Sequence, residues 1–188
     1  MNPTKTRILQ AARTVLIAQG SGGFSVRKVA AEATLALGNV QYHYKTKTDL
    51  LNGLLLWYVE EYRNTLLQTM GGAEVGKEGL RTLIRVVLNE ETNRDEAKLS
   101  MSIVSCAEEE TLMQQLDAFY DDFYGLLADF LSRVSGKPVE SACVQTGASL
   151  LLTVINGYGM VSQQLRVTTE VMADELTEMI WSRVTRLG

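Results

Sequence analysis

The chain has 188 residues, a net charge of −4, 46% hydrophobic residues and 21% charged residues. These values are ordinary for a soluble globular protein, and the length fits one large domain or two small ones. Polar residues interrupt the apolar stretch behind Lys5 and Arg7, and the longest apolar run, Leu54 to Val59, has six residues. A membrane span needs about 20. We therefore expect neither a signal peptide nor membrane contact, and we predict a cytoplasmic protein.

Helical periodicity runs through the whole chain. The sequence holds only two prolines, Pro3 and Pro138, and its long segments repeat apolar residues at a 3.6-residue spacing without convincing two-residue alternation. This pattern predicts an all-α fold of about nine helices. Their expected ranges are about 4–19, 25–33, 37–44, 46–70, 77–92, 95–107, 109–134, 139–166 and 169–187.

Local signals mark several helix ends. The glycine-rich segment 20–23 is expected to end the first helix, because glycine tolerates the left-handed conformation of a helix C-terminus. Ser25 is expected to cap the second helix, and Thr46 with Asp49 has the spacing of a capping box for the fourth. Pro138 is expected to stand at the start of a late helix, where its missing N–H is not needed.

The charge is distributed unevenly along the chain. Residues 1–50 hold seven Lys/Arg and two Asp/Glu, a net charge of +5, whereas residues 51–188 hold eleven and twenty, a net charge of −9. A basic N-terminal part can meet phosphates while an acidic remainder is repelled from them. The overall negative charge therefore does not exclude a nucleic-acid partner.

A short segment carries the most specific pattern in the chain. Residues 24–51 predict a short helix, a tight turn, a second short helix with aromatic and amide side chains, and the start of a long helix. Segment 38–50, GNVQYHYKTKTDL, closely resembles the recognition helix and the following helix start of the TetR family of bacterial repressors. The matching positions are Gly38, Tyr42, His43, Lys47 and Leu50, with Tyr44 in place of the usual phenylalanine.

The resemblance is strong over about residues 4–55, and it implies a two-part organisation. We expect a three-helix helix-turn-helix DNA-binding domain in residues 1–46, joined to a larger helical ligand-binding and dimerisation domain in residues 47–188. The segment departs from the family pattern at Ala36, where a capping serine is common, and at Leu37 and Gln41. These departures bear on the operator sequence rather than on DNA binding itself.

The expected DNA contacts differ in kind. Asn39 and Gln41 are the best candidates for base contacts, because an amide can bond an adenine edge with two hydrogen bonds. The remaining predicted DNA-binding residues have other roles: Ser25, Arg27 and Lys28 as a phosphate clamp, Leu37 near a thymine methyl, Gly38 for close backbone approach, and Tyr42, His43 and Lys47 on phosphates. Val40 and Tyr44 are expected in the core. The alternative is that the aromatic side chains and lysines merely form a solvated surface.

The family resemblance also implies a homodimer and a ligand pocket. The last two helices would pair with those of a second copy, with Gly147, Gly157 and Gly159 permitting close approach. The apolar residues expected in this contact are Leu150, Leu151, Val154, Tyr158 and Val161 of one helix and Met172, Leu176, Met179, Ile180 and Leu187 of the other. Intramolecular packing is an equally good explanation for each of them. The predicted ligand-binding residues are Trp57, Tyr58, Tyr62, Leu88, Met101, Phe119, Tyr120, Phe123 and Tyr124. Core packing is the alternative for these aromatic and apolar side chains as well.

Other functional classes have weaker support. His43 is the only histidine, so neither a Ser–His nor a Cys–His pair exists outside the recognition segment, and no multi-histidine metal site is possible. Phosphate-binding glycine motifs are absent, and Cys106 and Cys143 lack metal-ligand spacing and are expected as buried thiols. We therefore expect no enzyme, metal or cofactor. The open alternatives are a helical protein-interaction module and a DNA-binding regulator or activator that needs no ligand.

Overall fold

The computed structural model describes residues 2–89, 95, 98–99, 102–103, 110–161 and 164–185. Eight helices lie in these residues, and this described part contains no strand, so the predicted all-α fold is confirmed. The helices are α1 (Pro3–Gly23), α2 (Val26–Glu32), α3 (Leu37–His43), α4 (Lys47–Gly72), α5 (Lys77–Val87), α6 (Glu110–Ser135), α7 (Ala142–Val161) and α8 (Thr169–Thr185). None of the helices in these ranges is long and apolar enough to cross a membrane.

Helix α1 begins with a cap and is kinked near its end. The Asn2 side chain accepts a hydrogen bond from the Thr4 N–H at 2.9 Å, and Pro3 stands at the first helical position, where its missing N–H has no cost. Gly20 has φ 64° and ψ −176°, a conformation that favours glycine, and it separates one short turn from the rest of the helix. The regular helix is thus interrupted at the predicted glycine segment, but α1 continues beyond the kink to Gly23 instead of ending near Gln19.

The turn between α2 and α3 is a Schellman motif. The Leu35 N–H donates to the Ala30 carbonyl at 2.9 Å and the Thr34 N–H donates to the Ala31 carbonyl at 3.0 Å. Thr34, which follows the C-cap residue Ala33, has φ 53°, a left-handed conformation that is uncommon for a β-branched residue. This motif reverses the chain within four residues and makes α2 and α3 a helix-turn-helix.

The remaining helix limits agree with the prediction at some ends and differ at others. The capping box is present: the Asp49 N–H donates to the Thr46 hydroxyl oxygen and the Thr46 N–H donates to the Asp49 carboxylate, both at 3.0 Å. Helix α5 ends at Val87, five residues earlier than predicted. The helix predicted over 95–107 lies largely outside the described residues.

The start of α7 corrects the role predicted for Pro138. This proline precedes a turn in which Ser141 donates its N–H to the Pro138 carbonyl at 3.0 Å, and the helix begins only at Ala142. This helix therefore begins three residues later than predicted, whereas α8 begins at Thr169 as predicted, and its predicted end at residue 187 lies outside the described residues.

The described residues form two compact units. The first comprises residues within Met1–Tyr62 and Lys98–Gln115, and the second residues within Arg63–Ala97 and Leu116–Gly188. In the first unit the α1 side chains Ile8, Leu9 and Leu16 are buried, as are Leu50 and Leu54 of α4. The predicted division at residue 46 stays a prediction.

The Arg133 side chain holds the end of α4 in the second unit. The Arg133 guanidinium lies 5.2 Å from the Phe130 ring and donates to the carbonyls of Met70 and Ala73, which lie at the end of α4. A cation at a helix C-terminus satisfies carbonyls that have no intrahelical partner.

Helices α5 and α8 run antiparallel and are joined by three ion pairs at four-residue spacing. Arg81 contacts Asp174 through Nε at 2.7 Å and through a second nitrogen at 2.8 Å. The outer pairs are Lys77 with Glu178 and Arg85 with Glu170. We name this arrangement the α5–α8 ladder.

Candidate nucleic-acid interface

The recognition helix α3 separates a buried side from an exposed one. Val40 is fully buried and Tyr44, directly behind the helix, is 9% exposed, so both lie in the core of the first unit as predicted. Burial raises the pKa of the Tyr44 phenol. The side chains between these two anchors are therefore turned outward.

The exposed side of α3 carries the predicted base-contacting groups. Gly38, Asn39 and Gln41 are exposed, and Tyr42 is 82% exposed. An exposed aromatic ring of that degree is unusual for a side chain without a binding role, since burial of its apolar area would stabilise the fold. Free amide groups and a glycine on one side of a short helix form a surface that can approach the edges of bases.

Two predicted members of the site are partly covered. His43 is half-buried, and its ring packs edge-on against Tyr42 with centroids 5.1 Å apart and an interplanar angle of 77°. Leu37, at the first position of α3, is also half-buried. Ala36 gives no side-chain cap, as expected from its missing hydroxyl. The helix is therefore held by its packing and by the preceding turn.

Ser25 caps α2 as predicted. Its hydroxyl oxygen accepts a hydrogen bond from the Lys28 N–H at 3.3 Å, while its backbone is extended. The two cations next to it are arranged differently. Arg27 is exposed and has no hydrogen bond or ion pair with any described residue, whereas the Lys28 ammonium donates to the Gly23 carbonyl at 2.8 Å and to Gln19.

Lys47 also contacts the end of α1. Its ammonium lies 3.3 Å from the Ser21 carbonyl and 5.9 Å from the centroid of the Phe24 ring. By contrast, Lys45 is exposed and without a partner among the described residues. No local pattern in the sequence predicts these lysine contacts, because they depend on the path of the chain after the Gly20 kink.

The predicted ligand-binding residues are divided between the two units. In the first unit Trp57, Tyr58 and Tyr62 are half-buried, and the two tyrosine rings stack with centroids 6.1 Å apart. Met101 lies outside the described residues. The second unit holds Leu88, Phe119, Tyr120, Phe123 and Tyr124.

In the second unit the aromatic side chains differ in burial. Leu88 and Phe123 are buried in the core, whereas Phe119, Tyr120 and Tyr124 are half-buried. Phe119 stacks on Phe123 with centroids 5.8 Å apart, and the Tyr124 hydroxyl hydrogen-bonds Gln145. Leu88 and Phe123 thus serve packing, and the three half-buried residues retain accessible surface.

Two buried amide oxygens of the first unit correspond to no pattern in the sequence. The side-chain oxygens of Asn52 and Gln115, both in the first unit, are buried and accept no hydrogen bond from any residue that the structure describes. A buried acceptor without a partner is unfavourable and is rare in proteins. Asparagine and glutamine are too common in helices for the sequence alone to single them out.

The apolar residues of the last two helices fall into two groups. Leu151, Tyr158, Leu176 and Ile180 are buried within the chain, which is the intramolecular alternative. Gly147 belongs with them: a β-carbon there would lie 2.6 Å from Val184 and 3.1 Å from Leu131, so this glycine permits close packing of α7 inside the second unit.

The second group is accessible. Leu150, Val154 and Gly157 of α7 are half-buried, and Val161 is 47% exposed; on α8, Met179 is 45% exposed. A β-carbon at Gly157 would meet nothing within 4 Å. Leu187 lies outside the described residues, and the surroundings of Gly159 in α7 are likewise outside what the structure describes.

The expectation of a buried Cys143 was wrong. Its thiol is free and half-buried, because the residue is the second of α7, at the helix end, where its sulfur lies 3.4 Å from the Ser141 hydroxyl. Cys106 lies outside the described residues.

Comparisons with known proteins agree with this arrangement. The profile of the bacterial regulatory proteins of the TetR family matches residues 8–54, which include α2, α3 and the start of α4. A helix-turn-helix-type transcriptional regulator in the dhlA 5′ region of Xanthobacter autotrophicus, itself uncharacterised, is 24% identical over 95% of this chain and 89% of its own.

Two solved structures have the same fold. FadR of Bacillus subtilis, in complex with stearoyl-CoA, superposes with a TM-score of 0.75 at 18% identity, over 95% of this chain and 98% of FadR. AibR, in complex with isovaleryl coenzyme A and operator DNA, gives a TM-score of 0.70 at 19% identity, over 95% and 98%. Over residues 8–54, which hold the helix-turn-helix of α2 and α3, the chain matches the TetR family of bacterial regulatory proteins.

Proposed function

We propose that the protein is a homodimeric repressor that binds a palindromic operator and leaves it when a small apolar or amphipathic ligand binds residues 47–188. The observation that carries this proposal is the recognition helix α3, which is anchored by buried Val40 and Tyr44 and presents Asn39, Gln41 and Tyr42 to solvent. The cytoplasm, where the chromosome lies, is the location that this role requires.

Base recognition follows from the exposed amides. Asn39 and Gln41 can each bond an adenine edge, and each good bidentate contact is worth about 1–3 kcal/mol of discrimination. Tyr42, Arg27 and Lys45 surround them with groups that can donate to phosphates. Specificity and affinity thus come from different side chains of the same small surface.

A dimer is required because one short helix contacts only a few base pairs. Two copies place their recognition helices about 34–36 Å apart, one turn of DNA, or at a multiple of that distance. We assign the contact to the α7–α8 surface, formed by Leu150, Val154, Gly157, Val161, Val171 and Met179. Its α7 members recur every three or four residues on one side of the helix, and a second copy would remove their apolar area from water.

The dimer contact is tested by two charged substitutions. Val154→Glu places a carboxylate in the middle of the α7–α8 surface and is expected to convert the dimer to a monomer in analytical ultracentrifugation. Val75→Glu, at an equally apolar but more exposed residue before α5, is the matched control and should leave the dimer intact. A dimer that tolerates Val154→Glu and Met179→Glu contradicts this assignment.

The ligand class is argued from the half-buried aromatic residues and from the two structural relatives. Each unit has half-buried aromatic side chains of its own, Trp57 and Tyr58 in the first and Phe119 and Tyr120 in the second. FadR and AibR were solved with acyl-coenzyme A compounds. A ligand that binds the DNA-free state better releases DNA by mass action. Acyl-coenzyme A compounds of short and long chain, with free coenzyme A as control, are the first panel to test.

Binding of DNA is tested by fluorescence anisotropy with the duplex immediately upstream of the protein's own gene and a scrambled duplex. We expect tighter, salt-sensitive binding to the native duplex. Gln41→Ala and Tyr42→Ala should weaken that binding at least fivefold, while Gln68→Ala, at an exposed glutamine of α4, should not. Equal affinity for both duplexes, confirmed with a library of random duplexes, would contradict sequence-specific regulation.

Two alternatives predict different outcomes. A ligand-independent regulator or activator would bind the native duplex but would not be released by any member of the ligand panel. A protein-interaction module would show no sequence preference and no loss of binding on Gln41→Ala. The exposed amides on α3 favour the proposed repressor over the second alternative.

A further inference from the structure

We propose that the first unit binds a small molecule that carries a hydrogen-bond donor, an N–H or O–H group, and that the amide oxygens of Asn52 and Gln115 accept from it. The inference rests on the proposed function and deepens it, since it adds a chemical requirement to the ligand of residues 47–188. Linear amphipathic compounds that end in an amide or an alcohol meet this requirement, whereas hydrocarbons and esters without a donor do not.

The two amide oxygens are buried and have no donor among the described residues. Asn52 is in the second turn of α4, Gln115 is in the second turn of α6, and both belong to the first unit. A buried acceptor that loses water without gaining a donor destabilises a fold, which is why most such groups in proteins are paired. Two of them in one unit are explained by a partner that the chain itself does not supply.

The backbone of α4 and α6 does not supply this partner. In a helix, each N–H beyond the first turn donates to the carbonyl four residues before it, and only the first few N–H groups are left without a partner. Because Asn52 and Gln115 lie beyond the first turn, the backbone donors on either side of them are engaged within the helix. The partner is therefore a side chain or a ligand, and no described side chain fills the role.

Helix α4 carries accessible apolar surface on the same side as Asn52. Asn52, Leu55, Val59 and Tyr62 follow one another at three- and four-residue steps, so they share one face of the helix. Leu55 is buried, whereas Val59 and Tyr62 are half-buried, and the Tyr62 ring stacks on that of Tyr58. A molecule on this face meets an acceptor at one end and apolar and aromatic groups at the other.

The spacing along α4 sets the length of the ligand. With a rise of about 1.5 Å per residue, Asn52 and Val59 are separated by about 10 Å along the helix axis, and Asn52 and Tyr62 by about 15 Å. A donor at the Asn52 end and an apolar tail of that length describe a linear amphipathic molecule. Removal of its tail from water supplies affinity, and the donor supplies selectivity, because an unpaired acceptor disfavours any ligand that cannot donate.

The stability of the ligand-free protein separates a binding role from a structural one. An apolar side chain of similar shape removes the cost of an unpaired amide oxygen, so Asn52→Leu and Gln115→Met should each raise the melting temperature by about 2–4 °C. The matched controls are Asn64→Leu and Gln68→Met, at exposed amides of α4, which measure only the difference in helix propensity. The rise at Asn52 and Gln115 should exceed that of the controls.

Trp57 can report binding in the first unit. The chain has two tryptophans, and Trp181→Phe leaves Trp57 of α4 as the only one. The full chain with this substitution, shown by circular dichroism to be folded, is titrated by tryptophan fluorescence with three probes of similar size. Octanamide and octan-1-ol have a donor, and methyl heptanoate has acceptors only. We expect the two donors to bind about 3- to 10-fold more tightly than the ester.

The variants decide the outcome. The preference for donors should fall in Asn52→Leu and in Gln115→Met and be less than about twofold in the double variant, while Asn64→Leu retains it. A preference that survives the double substitution overturns the proposal, as does a parent protein that binds no probe or binds all three equally. A lower melting temperature in both single variants also overturns it, because the amides would then be structural.

DNA binding is measured separately, so that the two proposals fail in different ways. If the protein selects no DNA sequence, the proposed regulator fails, and the titration still decides whether the first unit accepts a donor. If it selects a sequence but shows no preference for donors, only the assignment of Asn52 and Gln115 fails.

Discussion

Gly53 lies directly against the ring of Tyr44: a β-carbon at Gly53 would be 2.5 Å from Tyr44 Cε1 and 3.2 Å from Cζ. Tyr44 ends the recognition helix, and Gly53 is in the second turn of α4. The absence of a side chain at Gly53 is therefore what allows α4 to pack on the tyrosine that anchors the recognition helix.

Gly53→Ala is expected to destabilise the protein and weaken specific DNA binding. The added methyl must displace a buried ring, and such overpacking costs about 1–3 kcal/mol, which exceeds the roughly 1 kcal/mol that alanine gains over glycine in a helix. Urea unfolding measures the change. Gly125→Ala, in the middle of α6 with open space around it, is the control that shows only the gain. Equal stabilisation by both substitutions would contradict the packing argument.

Thr34→Gly is expected to stabilise the protein. Thr34 has φ 53°, and a left-handed residue with a β-carbon costs about 1–2 kcal/mol. Glycine avoids this cost and loses about 0.5–1 kcal/mol through its greater freedom when unfolded, so we expect a net gain of up to about 1 kcal/mol in the free energy of unfolding. Thr34→Val keeps the β-branch and serves as the control without gain. A loss of stability with glycine would show that the threonine is not strained.

Helix ends with a local side-chain signal could be predicted from the sequence, as Ser25 and the Thr46–Asp49 pair illustrate. Each forms hydrogen bonds within three residues, so its partner is known from spacing alone. The turn at Thr34 shows the limit of such signals. A Schellman motif usually has glycine at its left-handed position, and here that position holds a threonine instead.

The sequence predicts which side chains of the candidate site are exposed on α3, but it does not predict which groups the neighbouring lysines contact. The outward Asn39 and Gln41 follow from α3 periodicity around buried Val40. The direction of Lys28 and Lys47 depends on the kink at Gly20, which the sequence indicated only as a helix end. Which apolar residues of the last two helices are buried and which stay accessible likewise depends on how α7 and α8 pack, and the sequence pattern does not distinguish them.

The α5–α8 ladder predicts a charge-swap rescue. Arg81→Asp and Asp174→Arg should each lower the melting temperature, because each places like charges at the ladder's bidentate centre. The double variant restores the attraction and should recover most of the loss, which is a coupling between the two sites. Differential scanning fluorimetry at low and high salt measures it, and the single-variant losses should shrink in high salt through screening.

The control for the ladder is Arg166→Asp, at an exposed arginine outside it. It should change the melting temperature little, since exposed charges away from a partner contribute little to stability. Single variants that lose stability without recovery in the double variant would mean that the arginine acts through packing of its aliphatic part rather than through its charge.

The Cys143 thiol is expected to react faster than an ordinary cysteine at neutral pH. The hydrogen bond with the Ser141 hydroxyl lowers its pKa, assisted by backbone N–H groups at the start of α7 and by Lys137, while burial acts in the opposite direction. A lower pKa means more thiolate, the reactive form, at a given pH. In a Cys106→Ser background, the rate of alkylation by iodoacetamide should therefore reach half its maximum below the pH of a free thiol. Ser141→Ala should shift that midpoint upward. The control is Ser149→Ala, which removes a hydroxyl that donates to the Gln145 carbonyl and should leave the midpoint unchanged. Coincident pH profiles for Ser141→Ala and the parent would refute the assigned cause.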